Sequence, residues 1–266
     1  MFIGDSRIRQ QFFYFLKMVP DYDRITQPIE IPKNVFSFHH GDVEVQSKII
    51  KLRVSFKWRP ILNDTVLETL RYWTTHNQSQ PPDLFFLSNC YKFLNKKYLL
   101  LKKLYQTFSM EVHHMLESNG ASFKLYEKKL FELAPILDAL AKSSKVIWLN
   151  QYPTIEFYGG THEPNTFIHS EKIHQYNEAV RRIFKKYGNI QIWDSSNPLA
   201  QEYIRGCTIF HIREIPRDVF VKHGSSSFIN CKSYINCNDY IHTGYVALSQ
   251  ATHLLYNDIC NLNTFS

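Results

Sequence analysis

Residues 2–9 read Phe2-Ile3-Gly4-Asp5-Ser6-Arg7-Ile8-Arg9, and this stretch decides how the chain begins to fold. Large apolar residues precede a glycine, which favours a short buried strand ending in a tight turn. After the turn, apolar residues recur at helical spacing: Ile8, Phe12, Phe15 and Leu16. The stretch therefore predicts a strand, a turn that carries Ser6, and a helix.

The same alternation of short apolar runs with longer helical patterns continues along the chain. We expect strands at 1–4, 51–58, 83–87, 145–150 and 189–193, and helices around 125–140, 170–186 and 244–260. Strands that alternate with helices favour a parallel sheet covered by helices on both faces. The sequence thus predicts an α/β fold.

Nothing in the 266 residues divides the chain into two domains, since no linker-like composition or abrupt charge shift is present. Two segments fit the strand-helix rhythm poorly. One is Lys-rich and the other mixes short apolar runs with Gly, Ser and Cys. We interpret both as insertions in a single domain, at about 92–120 and 206–236.

A formal charge of +7 suits an anionic partner such as a nucleotide, a nucleotide-sugar, an acidic glycan or a membrane surface. No nucleic-acid-binding motif accompanies this charge. The longest apolar runs, including 84–87 and 98–101, are far shorter than the roughly 20 residues that span a bilayer. The five cysteines form no CxxC pair, so we predict no metal site, while one or two disulfides stay open.

Ser6 is a candidate nucleophile because a serine after the first strand of an α/β fold lies at a helix N-terminus on the ligand-binding edge of the sheet. On its own the tripeptide GDS is equally typical of an ordinary helix cap. Asp239-Tyr240-Ile241-His242 supplies the missing partners, a base for the serine proton and a carboxylate that orients the base. A capping or surface role is the alternative for that pair.

Two further residues are candidates for holding an oxyanion or a substrate. Arg9 lies three residues after Ser6 and thus on nearly the same helix face. Asn89 follows the strand expected at 83–87. The alternatives are a solvated surface arginine and a turn-forming asparagine.

Two sequons, at Asn63 and Asn77, are candidate N-glycosylation sites and would fit a secretory lumen.

The ordered motifs resemble one family. GDSRIRQ at the front and DYIH near the end are joined by residues 54–60 with Asn63, by 133–137 leading through 146–148 to Gln151-Tyr152-Pro153, and by later blocks at 173–180, 199–202 and 256–261. This set is similar to the SGNH-type PC-esterase group, specifically the lumenal domain of sialic acid 9-O-acetyltransferase-like proteins. The family pattern is missing at 88–91, where a glycine followed by small residues and Thr-Trp is expected.

The resemblance implies a three-layer, SGNH-hydrolase-like (flavodoxin-like) domain in which Ser6 is the nucleophile, Asp239 the orienting acid and His242 the base. It implies an O-acetyltransferase acting on a sugar hydroxyl, with sialic acid or CMP-sialic acid as the expected acceptor and acetyl-CoA as the ultimate donor. A carbohydrate O-acetylesterase with the same triad and a catalytically inactive glycan-binding domain are the alternatives.

The family also implies a Golgi or other secretory-pathway lumen and a membrane-embedded portion that supplies acetyl groups. No such portion is expected in this sequence. We therefore expect either a fragment of a longer, membrane-tethered enzyme or a stand-alone domain that obtains acetyl groups otherwise.

Overall fold

A computed structural model describes residues 1–22, 41–49, 52–76, 104–109, 115, 122–153, 170–211, 232–235 and 243–260. Strands and helices alternate through most of this part of the chain, as the apolar patterning predicts. The strands are β1 (Phe2–Gly4), β2 (Val43–Ser47), β3 (Leu52–Trp58), β4 (Leu104–Ser109), β5 (Ser144–Leu149), β6 (Ile190–Trp193), β7 (Thr208–His211) and β8 (Lys232–Ile235). The helices are α1 (Ser6–Leu16), α2 (Asp64–His76), α3 (Phe123–Ala141), α4 (Ser170–Phe184), α5 (Asn197–Arg205) and α6 (Tyr245–Cys260).

Six strands form one sheet in the order β2-β3-β1-β4-β5-β6. Among the described strands of this sheet, every neighbouring pair from β3 to β6 is parallel, and the edge strand β2 is antiparallel. The order of the five parallel strands, β3-β1-β4-β5-β6, is that of flavodoxin-like doubly wound sheets. The fold is therefore α/β, as predicted, with one added antiparallel edge strand.

Four of the five predicted strands are present as β1, β3, β5 and β6, and the predicted strand at 83–87 lies outside the described residues. One strand was missed at an important place. β4 pairs with β1 on one side and β5 on the other, yet it lies inside the segment interpreted as an insertion. Residues 104–109 thus belong to the sheet, and the lysines around them obscured a run of good strand formers, Leu104-Tyr105-Gln106-Thr107-Phe108.

The sheet separates two clusters of buried side chains. Phe2 belongs to one cluster and Ile3 to the other, because successive side chains of a strand point to opposite faces. Helices α2, α3 and α4 contribute to the Ile3 cluster, whereas α1 and α6 contribute to the Phe2 cluster. The strand before Ser6 and the apolar face of the helix after it are therefore both packed in the interior.

The predicted apolar face of α1 is confirmed, since Ile8, Phe12, Phe15 and Leu16 are all buried. In α3 the prediction was partly wrong. Leu125 is 37% exposed, and Tyr126 occupies the buried position in that first turn, followed by Leu130, Leu133, Leu137 and Leu140. The buried stripe begins one residue later than predicted because an aromatic ring fills the space against α4, where it stacks on Tyr176.

The remaining two strands, β7 and β8, pair antiparallel in a separate small sheet. They lie within the segment interpreted as the second insertion, which stays a prediction. Cys207, just before β7, is disulfide-bonded. Within the described part of the chain, the helices are all too short or too polar to cross a bilayer.

Candidate active site

The strand order reverses at β1, because the chain passes from β1 to β3 on one side and later to β4 on the other. The carboxyl ends of the parallel strands meet at one edge of the sheet, with Gly4 in register with Trp58 and with Ser109. Such a reversal leaves a crevice in which α/β proteins bind ligands. The residues directly after β1 therefore lie where ligand-binding or catalytic side chains are expected.

The turn after β1 leads directly into helix α1. Gly4 has a φ of 151°, a backbone conformation that residues other than glycine rarely adopt. Asp5 follows as the N-cap, and its carboxylate accepts a hydrogen bond of 3.0 Å from the Arg7 amide. Ser6 is the first helical residue and is half-buried. The capping role considered for Ser6 thus belongs to Asp5.

Arg9 lies one helical turn after Ser6 in α1, as predicted. Its side chain is half-buried, and its guanidinium carbon lies 5.4 Å from the centre of the Trp58 ring at the end of β3. Burial lowers the pKa of Arg9, while the nearby Asp5 carboxylate opposes this shift. An arginine guanidinium stays charged at any physiological pH, so a partly desolvated cation flanks the Ser6 turn.

Arg7 is buried and makes several contacts with the segment after β5. It is 3% exposed, and its Nη1 donates to Gln151 Oε1 at 2.7 Å and to the Tyr152 carbonyl at 2.8 Å. The guanidinium carbon also lies 3.9 Å from the centre of the Tyr152 ring. These contacts join the start of α1 to the segment that follows β5.

The segment after β5 is itself fixed to two helices. The amide of Gln151 donates to Asn177 Oδ1 at 3.0 Å, and its carbonyl accepts from the amide groups of Asn177 and Asn197 at 2.9 and 3.0 Å. Asn177 belongs to α4 and Asn197 to α5. The partners of Arg7 are therefore held by the scaffold rather than by a free loop.

Thr243, from the last part of the sequence, lies at the same edge of the sheet. This residue follows His242, is 1% exposed, and donates its backbone N–H to the Tyr152 hydroxyl at 3.4 Å. It lines a small cavity of ≈ 20 Å³ together with Arg7, Asn150 and Tyr152. Ser6 does not line this cavity, although its neighbour Arg7 does.

The cavity has a mostly apolar lining, which includes Leu149 and Trp193, and a few buried polar groups that lack partners. Asn150 is 5% exposed, and both polar atoms of its side chain, like Thr243 Oγ1, have no hydrogen-bond partner among the described residues. Buried polar groups of this kind need a partner, and a space of about 10–15 Å³ already admits one water molecule. The cavity can therefore take a molecule of that size, but not a sugar.

The sequence-predicted residues have different outcomes. Ser6 and Arg9 come together on one helix turn at the sheet edge. Asp239, His242, Asn89 and the sequon residue Asn77 lie outside the described residues, so their roles stay predictions. Asn63 is exposed and precedes α2, where its side-chain oxygen accepts from the Val66 amide at 3.1 Å. Its role as a glycosylation site also stays a prediction.

Sequence reasoning missed Arg7, Gln151 and Tyr152 as site residues. Helical spacing did not indicate Arg7, because position i+1 lies on a different helix face from Ser6. A signal was present nonetheless. The GDSRIRQ motif contains Arg7 and the block Gln151-Tyr152-Pro153 contains its partners, but no periodicity indicated that the two blocks touch.

Comparison with known proteins gives an informative match. No protein-family model matches the chain. The chain is 30% identical over 224 residues to a Danio rerio protein named N-acetylneuraminate (7)9-O-acetyltransferase. The match covers 82% of this chain but 24% of that protein, so the chain spans about a quarter of the length of the curated relative that it matches. This similarity supports the resemblance to sialic acid O-acetyltransferases drawn from the ordered motifs, while the SGNH type stays a prediction.

Proposed function

We propose that this chain is the catalytic domain of a sialic acid O-acetyltransferase, of SGNH type and three-layer arrangement, with Ser6 as nucleophile, Asp239 as orienting acid and His242 as base. One observation carries the proposal. Ser6 opens a helix where the strand order reverses, and Thr243, the residue after His242, lies at the same edge. The name of the 30% identical relative supports the same activity.

In the proposed first half-reaction, Ser6 Oγ attacks the carbonyl carbon of an acetyl donor while His242 takes the hydroxyl proton. The tetrahedral intermediate collapses, and the donor's leaving group departs with that proton, leaving acetyl-Ser6. In the second half-reaction a sugar hydroxyl attacks acetyl-Ser6 and gives its proton to His242, which returns it to Ser6. Acetyl-CoA is the expected ultimate source of the acetyl group.

The helix N-terminus supplies part of the electrostatics. Developing negative charge on the acetyl oxygen is stabilised by the positive end of the α1 dipole. The Arg7 amide is not a donor for this oxygen because the Asp5 carboxylate already accepts its hydrogen bond at 3.0 Å. Arg9, one turn further along the helix, is the side chain that we assign to an anionic group.

We assign the carboxylate or phosphate of the acceptor to Arg9 because its guanidinium is partly desolvated and supported by Trp58. The net charge of +7 favours the same class of acceptor. Replacing Arg9 by methionine is expected to raise the KM for CMP-sialic acid at least about tenfold, since hydrogen bonds to charged groups contribute about 1.5–3 kcal/mol. Hydrolysis of uncharged p-nitrophenyl acetate should change little.

The matched control is Arg182→Met, because Arg182 is exposed on α4 and forms an ion pair with Glu127 of α3. It should leave both substrates unaffected. An equal loss with charged and uncharged substrates in Arg9→Met would contradict the assignment of Arg9 to substrate charge.

The nucleophile is tested with acetyl-CoA, or a small acetyl ester as donor, and CMP-sialic acid as acceptor. Ser6→Ala is expected to abolish both acetylated sugar and the acetyl-enzyme seen by intact-protein mass spectrometry. Ser143→Ala is the control, because Ser143 is an exposed serine just before the amino end of β5, where its hydroxyl donates to the Leu140 carbonyl at 3.3 Å. Normal product from Ser6→Ala would exclude this mechanism.

The same assay separates the alternatives. Release of p-nitrophenol that no sugar accelerates, with acetate as the only product, would make the domain an acetylesterase, because the acyl-enzyme then reacts with water. A protein that binds glycans but whose Ser6 does not react with a fluorophosphonate would be the inactive glycan-binding domain.

We further propose that the domain works in the Golgi or another secretory-pathway lumen, next to a membrane-embedded portion that supplies acetyl groups. The disulfide at Cys207 favours an oxidising compartment, and the exposed Asn63 is accessible for glycosylation. The test is mass spectrometry of protein secreted from cells, in which we expect extra mass on Asn63 that a glycosidase removes. Protein retained in the cytosol with Cys207 reduced would argue against it.

A further inference from the structure

A series of buried and partly buried contacts runs from the Ser6 turn to Thr243, the residue that follows His242. Arg7, next to Ser6, contacts Tyr152 through its carbonyl and its ring, and the Tyr152 hydroxyl accepts from the amide of Thr243, next to His242. These three residues lie far apart in sequence and meet only in the folded protein. We call this series the Arg7–Tyr152 link.

We propose that Arg7 and Tyr152 are positioning residues that set the distance and orientation between Ser6 and His242. The proposal rests on the proposed function, since it assigns to the link the alignment of that nucleophile with that base. Serine chemistry needs the nucleophile and base within hydrogen-bond reach, and small misplacements are costly. A direct series of contacts between Arg7 and Thr243, the sequence neighbours of these two residues, meets this requirement.

Burial separates the role of Arg7 from that of Arg9. Arg7 is 3% exposed and lines the small cavity, so a sugar cannot reach its guanidinium. Arg9 is half-buried beside Trp58 and stays accessible. Of the two arginines after Ser6, the first therefore aligns the site and the second faces the substrate.

The contacts of Arg7 require an arginine. One nitrogen donates to two oxygens, at 2.7 and 2.8 Å, while the planar group lies 3.9 Å from the centre of the Tyr152 ring. A guanidinium can donate in its plane and stack on an aromatic face at the same time, whereas a lysine ammonium is a point charge on a flexible stem. Lysine would keep the charge but lose the fixed orientation.

The far side of the link is rigid. Gln151, one of the acceptors for Arg7, has its main chain held by Asn177 and Asn197 from two different helices. A positioning contact works only when its supporting shell is itself fixed. The link therefore transmits the position of the scaffold to both ends of the site.

The test uses two variants of the whole chain and one control. Tyr152→Phe removes the hydroxyl that accepts from Thr243 and keeps the ring under Arg7. Arg7→Lys keeps the positive charge but removes the planar guanidinium, and with it the fixed hydrogen-bond geometry and the stacking on the Tyr152 ring. Tyr14→Phe is the matched control, because Tyr14 lies on the same helix α1 and packs edge-on against Tyr245, 5.0 Å away.

Two readouts are measured, the rate at which a fluorophosphonate labels Ser6 as a function of pH, and hydrogen exchange of the Thr243 amide. Tyr152→Phe is expected to speed Thr243 exchange and slow labelling, each roughly threefold to tenfold, as befits one neutral hydrogen bond. The pH at which labelling is half-maximal should also move. Arg7→Lys is expected to slow labelling at least about tenfold, and the control to match wild type.

The proposal is overturned if wild-type Ser6 labels normally and Tyr152→Phe matches Tyr14→Phe in rate, pH profile and Thr243 exchange. Should Arg7→Lys fail to fold, judged by loss of its cooperative melting transition, Tyr152→Phe alone decides. Failure of the proposed function looks different, because Ser6 then does not label even in the wild-type protein.

Discussion

Gly4→Ala is the sharpest test of how the first strand delivers Ser6. Gly4 ends β1 with a φ of 151°, and its carbonyl accepts from the Arg59 amide at 2.8 Å, which holds it against β3. A residue with a Cβ in this backbone region costs on the order of 1–3 kcal/mol. Relief of that strain would rotate the peptide that leads to Asp5 and Ser6.

The expected loss of about 2 kcal/mol is a large part of a typical unfolding free energy of about 5–15 kcal/mol. For a chain of this size each kcal/mol lowers the Tm by roughly 2–4 °C, so we expect a decrease of about 4–8 °C. The assay is thermal unfolding followed by circular dichroism, with fluorophosphonate labelling of Ser6 on the folded protein. Labelling should fall more than stability accounts for.

Gly188→Ala is the control for the general effect of removing a glycine. A Cβ built at Gly188 meets no atom within 4 Å, and its φ is not in the glycine-specific region. At such a site alanine is expected to raise stability by about 0.4–1 kcal/mol through the unfolded state. If Gly4→Ala and Gly188→Ala melt within error of each other, the strained-turn reasoning is refuted.

The cap of α1 gives a second test. Asp5→Ala should cost about 1 kcal/mol and slow labelling of Ser6, whereas Asp5→Asn keeps an acceptor for the Arg7 amide and should restore most of both; Ser122→Ala, which removes the cap of α3, should lower stability without slowing labelling. Asp42 gives a pH test. Burial raises the pKa of Asp42, but the larger combined effect of Arg59, the Trp58 amide and Lys57 lowers it below its usual range. A lowered folded-state pKa means that this stabilisation is complete above the unfolded pKa of about 3.9 and is lost as the pH falls through the folded pKa. Melting between about pH 5 and pH 2 should therefore show a flatter acid decline for Asp42→Asn than for wild type, and parallel curves would contradict the assignment. Because Asp42 is one-third exposed, the difference should be small and should shrink in high salt.

Local pattern was sufficient for much of the fold. Strand residues before Gly4, the helical spacing from Ile8 to Leu16 and the apolar run ending at Leu149 each encode their own element, and each is present. Pattern failed at 104–109, where surrounding lysines obscured the central strand, and at Leu125, where a neighbouring aromatic residue takes the buried position. In both places the outcome depends on what packs opposite, which a single segment does not record.

The sequence by itself determined that Ser6 stands at a turn between a buried strand and a helix, because glycine, cap and apolar spacing are all local. Only the tertiary structure decided that Arg7 meets Tyr152, 145 positions later, and that Tyr152 meets Thr243. Such a meeting depends on which strands lie side by side, and strand order follows from the burial of whole faces of the sheet rather than from any one segment. The sequence therefore predicted the element that carries the proposed nucleophile, but it did not predict the contacts that we propose to align it.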